Sequence, residues 1–207
     1  LVFEPRLVLL DEPLGALDRV LRAEMQAEIR RLHRSLGVAM IYVTHDQDEA
    51  LSLSDRIAVF EGGRMLQVDA PARLFAEPAT PSIARFIAQA ALLRGRVERD
   101  GADHRVRLSD GQVLEGVAAD LIPDGAPGVV ALRPDQLILT PDGEGRLSAR
   151  LIDALFHGDH WRISVALSDG VEIVVKRGGA QGAGLPPPGA QVGLALLGPP
   201  PRIWIDA

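Results

Sequence analysis

L-V-L-L-D-E-P-L-G-A-L-D, residues 7–18, carries the clearest architectural signal in the chain. Leu7 to Leu10 are apolar without alternation, the pattern of a strand buried on both faces of a parallel sheet. Pro13 and Gly15 end the run. Asp11 and Glu12 therefore fall at the carboxyl end of a strand, where open parallel sheets hold their ligands. Two adjacent acids there are costly unless a cation or a proton transfer uses them. A hard oxygen ligand for Mg²⁺ beside a base for a water molecule would account for both. The plainer alternative is a strand-end Asp11 capping a turn, with Glu12 solvated.

Reading outward, Leu21, Met25, Ile29, Leu32 and Leu36 recur at helical spacing and predict one apolar stripe of an amphipathic helix. Asp18 stands where its N-cap belongs, and Gly37 just past its end. Val38 to Val43 is a second β-rich run, so strand, helix and strand form a βαβ unit with parallel strands. His45 follows at the carboxyl end of that second strand; alone it reads as structural, and its neighbours Asp46 to Ala50 change the balance. A short helix is expected over residues 46–53, with Ser54-Asp55-Arg56 as a tight connection to the next strand. Then come a hairpin turning at Glu61-Gly62-Gly63 and two short helices opening at Pro71 and Pro81.

From about Leu92 the helical period vanishes and short alternating runs lie between Gly, Pro and Asp turns, which predicts an all-β barrel or sandwich. A weak repeat supports this: V-R-L-S-D-G at 106–111 returns as V-A-L-S-D-G at 165–170, each a strand entering a turn. Residues 177–189, rich in Gly and Pro, read as a loop. The expected division is an α/β domain over 1–91 and a β domain over 92–207.

Composition removes several function classes. A formal charge of −6 and 4% aromatic residues leave neither the basic face nor the stacking platform of a nucleic-acid binder. The absence of cysteine excludes disulfides and thiolate metal sites. No window of ~18 apolar residues is present to make a membrane helix.

The segments D-E-P-L-G-A-L-D at 11–18 and V-T-H-D-Q-D-E-A at 43–50 together resemble the ATP-binding subunits of bacterial ABC importers, as Walker B with D-loop and as switch-histidine loop. The resemblance runs on through L-S-D-R-I-A-V and G-G-R-M-L-Q-V to P-A-R-L-F-A-E-P. It implies ATP and Mg²⁺ as cofactors and a role for each matching residue. Asp11 would hold Mg²⁺ through its water shell, and Glu12 would polarise the attacking water. His45 would contact the γ-phosphate, and Asp18 would lie where two nucleotide-binding domains meet. Segments A-L-R-P-D-Q-L at 131–137 and G-D-H-W-R-I-S-V at 158–165 resemble the TOBE domain, an OB-fold-like module of importers of the polyamine, iron and sugar class. His157, His160 and Trp161 read as barrel surface and core.

The family's G-x-x-x-x-G-K-S/T, its glutamine loop and its L-S-G-G-Q are not in the sequence. The chain is accordingly expected to be an N-terminally truncated member, inactive as an ATPase by itself. In its parent it would couple ATP hydrolysis to import as a homodimer on the cytoplasmic face of the membrane. Its partners would be two transmembrane permease subunits and, indirectly, an extracytoplasmic substrate-binding protein; nucleic acid is not among them. The alternative function is a regulatory, effector-binding or dimerisation module carried by the β domain. An ABC-type ATPase of DNA repair fits the D-Q-D-E-A continuation and the β-rich tail poorly.

Overall fold

In the computed structural model, residues 5–101, 103–179 and 184–206 are described. Strand β1 (Leu7–Asp11) and strand β2 (Ala39–Val43) pair in parallel, Leu7 opposite Ala39 and Asp11 opposite Val43. Helix α1 (Arg19–Leu36) crosses between them and stops at Gly37, whose φ of 61° gives the left-handed turn that ends a helix. Helix α2 (Gln47–Leu53) follows, with Asp46 as its N-cap. The hairpin β3 (Ile57–Glu61) to β4 (Arg64–Asp69) turns on Gly62 and Gly63, both at positive φ as a two-residue loop of this kind requires. Helix α3 (Pro71–Ala76) closes this first unit, which ends at Ala76.

The expectation that β1 is buried on both faces is not met. Its burial alternates, and so does that of β2: Leu7, Leu9, Ile41 and Val43 share one exposed sheet face, Leu9 at 69%. Among the described residues no element covers that face. Leu21, Met25, Leu32 and Leu36 of α1 are exposed too, and its less exposed side runs instead through Arg22, Gln26, Ile29 and His33. An apolar run without alternation predicts two covered faces; the described residues supply one cover.

The second unit begins at Glu77. Helix α4 (Pro81–Ala88) is capped by Thr80 and carries Ile83, Ala84, Ile87 and Ala88 buried. Strands β5 (Ala91–Asp100), β6 (Asp103–Leu108), β7 (Val113–Ala118), β8 (Pro127–Leu132) and β14 (Arg202–Ile205) close into a barrel ordered β14-β7-β6-β5-β8. After a 3₁₀ turn at Pro134–Gln136, strands β9 (Leu137–Thr140), β10 (Leu147–Phe156), β11 (His160–Ala166), β12 (Glu172–Gly178) and β13 (Gln191–Leu196) form an antiparallel sheet ordered β12-β11-β10-β13-β9. One core joins both sheets, with Val97, Val106, Leu114 and Ile203 from the barrel and Leu151, Ile163, Val175 and Leu194 from the sheet. The fold is thus α/β followed by an all-β, OB-like module. Of the expected loop at 177–189, Arg177 and Gly178 belong to β12, and residues 180–183 lie outside the described residues.

The compact units divide fifteen residues ahead of the composition change near Leu92, and α4 lies between the two positions. Its Ala84 packs with Ala90, Ala131 and Trp204, and the Trp204 indole donates to the Ala79 carbonyl at 3.0 Å.

Candidate functional site

The site is built where β1 and β2 end side by side. The Glu12 N–H donates to the Val43 carbonyl at 2.9 Å, prolonging the parallel pairing by one residue. The chain then turns sharply. Glu12 has φ 45°, a left-handed conformation unusual for a residue with a Cβ, and Gly15 N–H closes the turn on the Glu12 carbonyl at 3.2 Å. Leu14, buried, pins the loop from within. Asp18 Oδ1 accepts from the N–H groups of Val20 and Leu21, both at 2.9 Å, so the N-cap expected from the sequence is formed.

Across from this loop, Thr44 to Asp46 leads from β2 into α2. The Glu12 carboxylate and the His45 imidazole meet there, Oε1 to Nδ1 at 3.0 Å, though 33 residues apart in sequence. Both side chains are open to solvent. The hydrogen bond to Glu12, and then the charge of Glu12, hold the His45 pKa above the ordinary imidazole value, with smaller contributions from Asp46 and Glu49. A carboxylate joined to an imidazole at a strand end can orient a water and accept a proton from it.

Glu12 and His45 are thus brought together at a pocket also lined by Gly15, Arg22, Thr44 and Glu49. Asp11 and Asp18 are not among its lining residues. Asp11 is exposed at the end of β1, on the sheet face of Leu7 and Leu9, and Asp18 is engaged as a cap. His157 and His160 lie on the second unit, stacked with ring centroids 5.3 Å apart, beside the Phe156–Trp161 ring pair.

Sequence reasoning missed Glu49 and Arg22. Glu49 is 2% exposed, and Tyr42 Oη and Thr44 Oγ1 each donate to its Oε2 at 2.8 Å. Burial and that hydrogen bond push the Tyr42 hydroxyl pKa well up. The available signal was D-x-x-E at 46–49, which reads as a capping box. The structure uses it differently. Asp46 Oδ1 caps Asp48 and Glu49, but the Asp46 N–H goes to Thr44 Oγ1 at 3.0 Å, and Glu49 turns inward to the strand.

Among the described residues no cluster of three or more His, Asp or Glu gathers to hold a metal ion. Mg²⁺ keeps several waters and is bound through one or two carboxylates plus phosphate oxygens. Asp11 can supply one such carboxylate. The residues fit a triphosphate less fully, since no glycine-rich cradle with its lysine occurs in the sequence.

The TOBE domain family matches residues 130–198. An uncharacterized ABC transporter ATP-binding protein of Escherichia coli, YdcT, is 39% identical over 195 residues, covering 93% of this chain and 51% of that protein. The spermidine/putrescine import ATP-binding protein PotA of Rubrobacter xylanophilus is 40% identical over 202 residues, 94% of this chain and 52% of its own length. PotA of Chromobacterium violaceum is 41% identical over 180 residues, 84% and 50%. The chain spans about half the length of these curated relatives. A solved structure of the cytoplasmic molybdate-binding protein ModG aligns with 56% of the chain and 95% of its own at 16% identity, with a TM-score of 0.46. Two strand ends that join a carboxylate to a histidine, a TOBE domain match later in the sequence and likeness to import ATP-binding proteins along nearly the whole chain agree with one another: what this chain matches, over about half of their length, is the family of ATP-binding subunits of bacterial ABC importers.

Proposed function

We propose that this chain supplies the water-activating side of an importer's ATP site and the β module that follows it in sequence. The Glu12–His45 hydrogen bond, 3.0 Å between exposed groups at adjacent strand ends, is the observation that carries the reading. Glu12 polarises the attacking water, and His45 contacts the terminal phosphate and ties it to Glu12. Phosphoryl transfer rests on positioning and charge stabilisation more than on covalent chemistry, so two preplaced groups of this kind are a fitting contribution from one side of the site, with the phosphate cradle supplied from elsewhere. Asp11 is the residue that would hold Mg²⁺, which would supply positive charge to offset that of the phosphate oxygens. Asp18, by opening α1 with its cap, places the preceding loop where a second nucleotide-binding domain docks.

The partners in this reading are a second copy, two permease subunits and, indirectly, a substrate-binding protein, with the chain peripheral on the cytoplasmic face. Among the described residues no helix is long and apolar enough to cross a membrane. The names of the PotA relatives make polyamines the first cargo to assay.

The 207 residues by themselves are expected neither to bind ATP tightly nor to hydrolyse it, because they carry no phosphate cradle. Joined behind the amino-terminal half of the Rubrobacter PotA, they are expected to hydrolyse Mg-ATP and to lose turnover with Glu12→Gln. A chimera that binds ATP but turns over equally well with Glu12→Gln would sink the reading. Turnover by the 207 residues alone, abolished by the same substitution, would overturn the claim of inactivity.

A further inference from the structure

Behind the Glu12–His45 pair lies a set of charges that neither motif assigns, with Glu49 buried and Arg22 and Asp46 partly so. Arg22 Nη1 donates to Asp46 Oδ2 at 2.9 Å, and Arg22 Nη2 donates to the Leu17 carbonyl at 3.2 Å. Its Nε stands 3.9 Å from Glu49 Oε1. The other Glu49 oxygen accepts from Tyr42 and Thr44. One guanidinium therefore touches the loop that carries Glu12 and Asp18, and also the cap and first turn of the helix that carries His45 at its entrance. The planar fork of arginine suits this, because several donors leave it in fixed directions.

Such a link has work to do. Glu12 and His45 sit on separate loops, both exposed, and an exposed pair gains too little in water to hold two loops in register. Glu49, by contrast, is out of water, where losing a partner is costly. It receives both hydroxyls of the β2 end and so fixes Thr44, the residue next to His45.

We propose that Arg22 and Glu49 form a clasp between the two loops that sets the separation of Glu12 and His45, making them positioning residues for the hydrolytic reaction. The proposal rests on the reading of Glu12 and His45 given above, yet it can be tested without turnover. Charged groups facing His45 are Glu12 from the β1–α1 loop and Asp46 and Glu49 from α2 and its cap, with Arg22 behind them. Arg22→Met removes a cation, and by its field alone that change can only raise the His45 titration midpoint. Loss of the clasp does the opposite, because His45 moves away from the Glu12 carboxylate that holds its proton.

The experiment is an NMR titration of the histidine-labelled chain in dilute solution, with His45 assigned by His45→Gln and the floor set by Glu12→Gln. The expected result for Arg22→Met is a downward shift of the His45 midpoint toward that floor. An upward or absent shift, with the other amide signals unchanged, overturns the proposal. Should the Met variant unfold the first unit, Arg22→Lys keeps the charge but loses the fork. A smaller downward shift is then expected, and an unchanged midpoint overturns the clasp. An inactive chimera whose His45 midpoint still falls with Arg22→Met would sink the ATPase reading and leave the clasp standing.

Discussion

His45 carries its own reporter. Its folded pKa lies above the ordinary imidazole value of about 6.5, chiefly through the hydrogen bond to Glu12 and then through the charge of Glu12. A raised pKa means that the pair's contribution to stability is complete below the unfolded value and is lost as pH rises through the folded one. Both groups are open to solvent, so that contribution is small, and the titration itself is the better measurement. Glu12→Gln is expected to return the His45 midpoint toward 6.5, and an unchanged midpoint would show that the two do not meet in solution. This pairing was legible in the sequence because two parallel strands joined by one helix put Glu12 and His45 at neighbouring ends. Glu49 was not, because its burial depends on how α2 leans on β2, which no local pattern states.

At the scale of elements, two aspartate caps do unequal work. Asp18 satisfies two N–H groups at the start of α1 and is itself exposed. Asp46 does the same for α2 and also holds the Arg22 guanidinium. Asp18→Ala is expected to cost about 1 kcal/mol, the ordinary value of a cap. Asp46→Ala is expected to cost more, roughly 1–2 kcal/mol, since a partly buried arginine also loses its partner. Amide exchange in the first turns of α1 and α2 reads both, and equal losses would argue that Arg22 gains nothing from Asp46. The caps and the glycine stop were legible because they are chemistry of one or two residues. The L-S-D-G repeat was legible in the same way: Gly111 and Gly170 sit at φ 86° and 85° in matching turns after Leu108 and Leu167. That the two turns hydrogen-bond each other, Ser109 to Asp169 and Ser168 to Asp110, was not legible, since it needs both sheets in place.

The whole molecule divides its stability unevenly. In the first unit Leu7, Leu9, Ile41 and Val43 leave one sheet face open, whereas the second unit encloses a core drawn from both of its sheets. The second unit is therefore the part expected to fold by itself, and where it starts can be measured. Composition separates α4 from the strands after it, because an amphipathic helix resembles the helices before it. Packing joins α4 to the barrel: Ile83 and Ile87 are buried, and Ala79 accepts the indole N–H of Trp204, itself 5% exposed. A fragment of residues 77–207 keeps these contacts, whereas one of residues 92–207 strips the cover from Trp204 and removes the carbonyl that its N–H donates to. Water then takes over that N–H, so the loss is chiefly the apolar cover of Trp204 together with one protein hydrogen bond, and a deficit of about 3 kcal/mol is reasonable. For a unit of this size that lowers the melting temperature by roughly 10 °C. Fluorescence separates the two tryptophans, since Trp204 shifts red on exposure while Trp161, on the other sheet, serves as the internal reference. Equal melting of the two fragments would return the boundary to the composition change near Leu92. A lower and redder transition for 92–207 would make α4 part of the β module's fold.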